Sequence, residues 1–297
     1  MNAEVLCVGH AAYDLAMFVD GFPNENAKAE TGEWLESGGG PAANAAYLMS
    51  KWGARCAFAG LVGDDHYGRC IRAELEAVGT DVSRLQSLPH HTTPLSVILV
   101  NKQTGTRTIV NRKVRGRALR LDAAALAGSL PSVLLFDGHE LDASLAALRA
   151  FPDAASILDA GSWREGTAAL AGKVKYLVAS ERFARQATSF DDPRASLGKL
   201  REHFPTNVVV TLGEKGLVAD DGSGFRHMPA FPAECVDTTG AGDIFHGAFA
   251  FAIGRAMPFW ECLRFASMAA SLSVRKPGGR ASIPTLSQVE EALAHAG

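Results

Sequence analysis

The sequence predicts a single α/β domain built on a mostly parallel central sheet with helices on both faces, carrying a few lid strands inserted near its start. Three observations support this. From residue 132 onward, apolar runs at 133–136, 156–158, 176–179 and 208–211 alternate with alanine- and leucine-rich stretches of helical spacing. Such alternation implies crossovers and parallel pairing. Residues 16–37 and 92–112 instead break into short alternating pieces around turn formers, the pattern of small hairpin strands. No repeat, low-complexity tract or long Pro/Gly/Ser linker divides the 297 residues, so 1–297 reads as one unit with the lid strands as insertions.

Composition narrows the function classes. A hydrophobic content of 47% suffices for a sizeable core. The formal net charge is −3, with no basic block, which offers nothing to a nucleic-acid backbone or an anionic membrane. Five cysteines, Cys7, Cys56, Cys70, Cys235 and Cys262, are scattered and lie mostly inside apolar runs. They read as reduced core residues, without zinc or redox spacing. No basic flank and long apolar segment precedes the strand-like Val5–Val8, and no later run approaches membrane-spanning length, so the expectation is a cytoplasmic protein.

After the first strand, Gly9-His-Ala-Ala-Tyr-Asp14 reads as a small-residue turn leaving Asp14 at the carboxyl edge of the sheet, where parallel sheets bind ligands. A turn or cap role fits Asp14 equally well. Next, Ser37-Gly-Gly-Gly-Pro-Ala-Ala-Asn44 opens a helix that Gly53 ends. Its glycines, Gly39 and Gly40 among them, permit close ligand approach, Pro41 suits a first helical turn, and Asn44 points into the same space. Residues 55–65 form a second buried strand, followed by a helix over roughly 68–78, with Asp64 and Asp65 read as structural. His90 and His91 read as a solvated turn, for want of a third ligand nearby. The runs 95–100 and 106–111 make a hairpin, with Asn111 at its end free to face a ligand. Thr211-Leu-Gly-Glu-Lys-Gly216 is a tight turn suited to a nucleotide's phosphates through Thr211, Gly213 and Gly216; it is not a Walker A sequence.

The chemistry concentrates between Val236 and Phe251. Asp237, Thr238 and Thr239 are turn and cap formers, and Gly240, Ala241 and Gly242 carry almost no side chain. A helix over Ile244–Ile253 follows, stopped by Gly254. The free N–H groups of its first turn make a phosphate-sized hole. Asp243 sits at the edge, where the helix dipole and those N–H groups are expected to keep it ionised. A proton acceptor beside an oxyanion site is what phosphoryl transfer to an alcohol needs. His246, one turn on, either positions substrate or packs.

Two stretches carry a family resemblance. Asp-Thr-Thr-Gly-Ala-Gly-Asp-x-Phe-x-Gly from Asp237 and Gly-Gly-Gly-Pro-Ala-Ala-Asn-Ala-Ala from Gly38 resemble the two signatures of the ribokinase-like (phosphofructokinase-B) sugar and nucleoside kinases. Gly63-Asp-Asp-x-x-Gly68, Arg264-Phe-Ala-Ser267 and Lys276-Pro-Gly-Gly-Arg280 extend the likeness, which runs from Val5 to about Pro284. It implies a ribokinase-like three-layer α/β/α sandwich, ATP with Mg2+, potassium as a further cofactor, and a homodimer formed through the lid. By position, Asp243 is the implied base and Gly240, Ala241 and Gly242 the anion hole. Asp14, Gly39, Gly40 and Asn44 are implied sugar contacts. Lys276 and Gly279 stand in the loop beside adenine, and Asp237 and Thr239 near a monovalent cation.

Within the family the sequence is most similar to the sulfofructose kinase and ketohexokinase-like branches. Lys28 and Asn111 fall where the sulfofructose enzyme meets the anionic end of its sugar. Where that enzyme has an arginine, this chain has Gly138-His139, and a histidine is only partly charged near neutrality. A neutral ketose is thus at least as well supported as an anionic sugar. Ser180-Glu181-Arg182-Phe183 replaces the Asn-x-x-Glu that serves phosphates and magnesium in many members, and Glu181 fits an exposed helix start better than a magnesium ligand. Two alternatives stand beside the sugar kinase. A nucleoside kinase would need an aromatic base pocket, for which Phe18, Phe22 and Trp34 are available. A catalytically silent sugar-binding protein of the same fold would have no need of Asp243 beside the glycines.

Overall fold

Two sheets organise the chain in the computed structural model, which describes residues 4–114, 116–128 and 130–296; the remaining positions of the expected 1–297 unit lie outside the described residues. The first half runs β1 (Val5–Val8), β2 (Ala12–Val19), β3 (Trp34–Gly39), α1 (Pro41–Lys51), β4 (Cys56–Gly63), α2 (His66–Ala77), β5 (Asp81–Leu88), β6 (Leu95–Asn101) and β7 (Arg107–Arg112). The middle runs α3 (Ala123–Leu126), β8 (Val133–Phe136), α4 (Leu141–Ala150), β9 (Ala155–Ala160), α5 (Glu165–Ala171), β10 (Tyr176–Ser180), α6 (Glu181–Thr188), α7 (Pro193–His203) and β11 (Asn207–Thr211). A short 3-10 turn at Gly213–Lys215 precedes β12 (Leu217–Asp220) and β13 (Arg226–Met228), and α8 (Ala241–Gly254), α9 (Phe259–Ser273) and α10 (Leu286–His295) close the chain.

The large sheet has the order β13-β12-β11-β10-β9-β8-β1-β4-β5. From β11 to β5 every pairing is parallel, and only the two pairings of β12, with β11 and with β13, are antiparallel. Alternation along each strand feeds two cores. Val5, Cys7, Val133 and Leu135 pack with α1, α2, α8, α9 and α10, whereas Leu6, Val8, Leu134 and Phe136 pack with α4, α5, α6 and α7. Strands buried on both faces read as continuous apolar runs for this reason. Each fully buried Leu, Val or Phe contributes about 1.5–3 kcal/mol of transfer free energy. All loops that follow the parallel strands therefore open at one edge of the sheet.

β3-β2-β6-β7 form a second, four-stranded sheet above that edge. Asp14 lies inside β2, paired with Ser37 and Ser96, rather than in a turn after β1. The inserted strands begin at Ala12, four residues before the expected start. Register puts Asp14, Ser96 and Asn111 in one row and Ala16, Ile98 and Ile109 in the next, so one face of this sheet looks down on the loops. Its underside has a small core of its own, Ala16, Phe18, Ile98 and Val100. Among the described residues no helix is long and apolar enough to cross a membrane.

Helices α1 and α8 meet through small residues. A Cβ at Gly247 would lie 3.0 Å from the Cα of Ala45, so a larger residue would press the two helices apart by a few tenths of an ångström. The contact brings the start of α1 beside the start of α8.

Candidate active site

That approach places Asn44 against Asp243, and the Asn44 amide donates to Asp243 Oδ2 at 2.7 Å. Asn44 is itself oriented: Arg280 Nε donates to its Oδ1 at 3.0 Å, which leaves Nδ2 to face Asp243. Arg280 is buried, pairs with Glu74 Oε2 at 2.7 Å and lies over the Tyr47 ring. Glu74 in turn accepts from the backbone N–H of Gly38. Two of the expected glycines owe their identity to these groups. A Cβ at Gly38 would strike the Arg280 guanidinium, and one at Gly39 the Asp14 carboxylate. Gly39 thus serves by leaving room for Asp14.

The expectation that Asp243 stays fully ionised is corrected. Burial and the neighbouring charge of Asp159 push its carboxyl up to about 7, against the Asn44 hydrogen bond and His246. Asp14 is raised too, by burial, with the Ser96 hydroxyl and Arg280 pulling the other way. His246 does not reach the cavity. Its ring is buried, with Nδ1 near Gly242 O (2.6 Å) and Asp159 Oδ2 (3.3 Å) and Nε2 near Val178 O (3.2 Å), so it packs.

The α8 start is open as expected. Gly240 holds the left-handed conformation at φ 75°, and a Cβ on Gly242 would meet nothing within 4 Å. Ala241 N–H leans back on Thr238 O at 3.3 Å, a long contact. Asp237 Oδ1 accepts from Thr239 N and Oγ1 (2.9 and 2.7 Å), and Oδ2 from Gly278 N (2.8 Å). These bonds tie the 275–284 loop to the helix entry, with Gly279 against Gly240.

A cavity of about 520 Å³ joins these pieces between the two sheets. Of the expected residues, Asp14, Gly40, Asn44, Asn111, His139, Thr239, Gly240 and Asp243 line it. Lys28 does not; it stands exposed between β2 and β3. Thr211, Gly213 and Gly216 lie at the end of β11, outside this cavity, and Lys276 is exposed on its loop. Glu181 is the exposed first residue of α6. Asp65 is structural, capping α2 through Gly68 N and accepting from Thr93. Among the described residues no group of three His, Cys, Asp or Glu is placed to hold a metal. Phe18, Phe22 and Trp34 do not line the cavity, since Phe18 is buried above it and the other two face solvent.

Sequence reasoning missed His10 and Arg164. Asp137, buried at the end of β8, accepts from the backbone N–H groups of His10 (2.8 Å), Ala42 (3.2 Å) and His139 (2.9 Å), and so fixes both histidines. The two rings stack at 4.4 Å. Burial lowers His10 to about 4, helped by His139 and the cationic Arg164 and Lys113. Burial likewise lowers His139, with Asp137 opposing and the same cations adding. Both rings are neutral at pH 7, which corrects the partial charge expected of His139. Arg164, in the loop after β9, donates to the His139 ring and to Asp137 O (3.0 Å). Its only sequence signal is a cation just past a strand end.

The family model "pfkB family carbohydrate kinase" matches residues 2–286. Ribokinase of Bacillus subtilis is 29% identical over 98% of this chain and 99% of its own. The crystal structure of a protein provisionally named a ribokinase, from Agrobacterium tumefaciens, superposes with a TM-score of 0.91 at 30% identity, covering 100% of this chain and 99% of that one. Arabidopsis thaliana ribokinase complexed with ribose and ATP gives 0.83 at 25% identity, covering 99% of each chain.

Proposed function

The chain belongs to the pfkB family of carbohydrate kinases, and from that premise we propose that it transfers the γ-phosphoryl group of ATP to a hydroxyl of a small sugar bound between the two sheets. One observation carries this reading. Asp243, whose carboxyl titrates at about 7, opens into the cavity beside the bare backbone of Gly240 and Gly242. A base is most effective when its pKa lies near the working pH. Asp243 takes the proton of the acceptor hydroxyl, held in line by Asn44. The N–H groups of Gly240 and Gly242, with Ala241 contributing less, meet the charge on the transferred group. Asp14, Gly40, Asn44 and Asn111 are our sugar contacts.

The nucleotide belongs over the ends of β10 and β11. Thr211, Gly213 and Gly216 offer it a turn with positive φ at both glycines, and Arg182 lines the adjoining cavity wall. Lys276 and Gly279 would flank its base. With no carboxylate cluster to hold Mg2+ among the described residues, the ion fits as a partner of the ATP phosphates, whose charge it neutralises. Asp237 Oδ2 takes a single hydrogen bond, so it keeps a lone pair that potassium could share with carbonyls of the 275–284 loop.

An ADP-release assay with Mg-ATP, run in KCl and in NaCl, tests this across fructose, ribose, tagatose, 2-keto-3-deoxygluconate, fructose 6-phosphate, sulfofructose and adenosine. Sugar-dependent release is expected. Adenosine as the best acceptor would favour the nucleoside reading, and equal rates in the two salts would leave Asp237 as a brace alone.

We place the enzyme in the cytoplasm, since its five cysteines are free thiols, as a reducing compartment keeps them. We assign it a homodimer through the lid, because Trp34 and Val110 stand 56% and 67% exposed on the outer face of the second sheet. Light scattering at a dimer mass is expected; a monomer mass would remove the assignment.

A further inference from the structure

The wall formed by His10, His139, Arg164 and Lys113 combines two cations with two neutral imidazoles. Its one carboxylate, Asp137, is turned away from the cavity and occupied by three backbone N–H groups. Across the whole lining, five cations (Arg107, Arg112, Lys113, Arg164, Arg182) face two carboxylates, Asp14 and Asp243. None of the five is in an ion pair among the described residues. A chain of net charge −3 thus holds an uncompensated positive cavity, the arrangement that concentrates anions.

Arg164 stands out among them. Its Nη1 is braced by the His139 ring and its Nη2 by Asp137 O, each with a further N–H to offer, while Nε is buried without any partner. A buried guanidinium N–H left unsatisfied is costly. Its planar fork suits a carboxylate, sulfonate or phosphate that accepts from several N–H groups at once.

Position sets the histidine end of this wall apart from the nucleotide, while Arg164, in the loop after β9, stands between the two, next to β10. His10 and His139 follow β1 and β8, which are three and two strands from β10 in the sheet order. At about 4.8 Å per strand this is roughly 14 and 10 Å. Asp14, Asn44 and Asn111 line the same cavity as the two histidines.

We infer that the acceptor sugar carries a permanent anionic group, a phosphate, sulfonate or carboxylate, bound by Arg164 with His10, His139 and Lys113 at the end remote from the hydroxyl that faces Asp243. This rests on the kinase reading for the hydroxyl but not for the binding of the anion. It also moves the anion site from Lys28, which stands outside the cavity, to Arg164 in the loop after β9. The missing arginine after β8 is supplied by the loop after β9.

The test pairs turnover with binding. In the ADP-release assay the wild-type protein should prefer fructose 6-phosphate, sulfofructose or 2-keto-3-deoxygluconate over fructose by about 100-fold or more in kcat/KM. Arg164→Met should cut that ratio by about 100-fold, with the loss in the KM of the anionic sugar, and Arg164→Lys should restore part of it. Calorimetric titration of the same sugars into Asp243→Asn, with and without Arg164→Met, reads the anion site without turnover. Arg164-dependent binding of an anionic sugar to a protein that releases no ADP would retain the site and reject the kinase reading. Three results would overturn the inference: a preference for fructose, a KM defect of Arg164→Met confined to Mg-ATP, or no Arg164-dependent binding of any of the three anionic sugars.

Discussion

Replacing Asp243 with Asn is expected to lower kcat by roughly 10²–10⁴-fold while making the protein more stable at alkaline pH. Both effects come from one carboxyl. Its folded value, about 7 against 3.8 in a free side chain, means that the native state binds the proton more tightly than the unfolded chain. The stability this proton provides is present below about pH 4 and is lost as pH rises through 7. Above pH 7 the site holds an ionised, poorly solvated carboxylate next to Asp159, and asparagine removes that penalty. The gain should be on the order of 2–4 kcal/mol at pH 8 and vanish near pH 4. The same ionisation should give wild-type kcat/KM an acid limb near pH 7, with activity lost as pH falls. Thermal melts across pH check the stability arm. A variant less stable than wild type at pH 8 would mean that Asp243 is not strained by its surroundings.

Arg280 should act through Asn44. Among the described residues no other side-chain hydrogen bond fixes the Asn44 amide so that its NH2 end faces Asp243. With Arg280→Met the amide can turn over and present its oxygen to the carboxylate. The acid limb of kcat should then move to higher pH, and kcat at pH 7 should fall by about 10- to 100-fold, with Arg280→Lys recovering part of both. A purely structural role would lower the melting temperature and leave the limb in place. Stability follows the partners' exposure. The Arg280 side chain is 3% exposed and that of Glu74 31%, so the larger penalty comes from Glu74→Gln, which strands the buried cation. That substitution should cost on the order of 3 kcal/mol, read by chemical denaturation.

The large sheet was legible because strands buried on both faces leave uninterrupted apolar runs, and 133–136 is β8 to the residue. The start of α8 was legible because bare glycines and a cap are local features. What escaped depended on neighbours far away in sequence. Asp14 looked like a turn residue since its β partners, Ser37 and Ser96, lie 23 and 82 positions on. The ionisation of Asp243 was misjudged because dipole and N–H groups can be read locally, whereas Asp159 and burial cannot. Arg164 follows β9 with no motif, and only the adjacency of β8 and β9 in the sheet sets it against His139. Lys28 matched by position, but the segment between β2 and β3 holds it outside the cavity. The role of Arg280 was hidden because its bond to Asn44 spans 236 positions.

The most direct test follows the phosphoryl group itself. ATP labelled at the γ-phosphate, with Mg2+ and the sugar panel, is given to the wild-type protein and to Asp243→Asn, and the products are separated. Label in a sugar phosphate formed by the wild type, and at least 100-fold slower by the variant, is the result expected here. Label that stays in ATP or appears only as inorganic phosphate, while the sugars still bind and raise the melting temperature, would contradict the account and leave a sugar-binding protein of this fold.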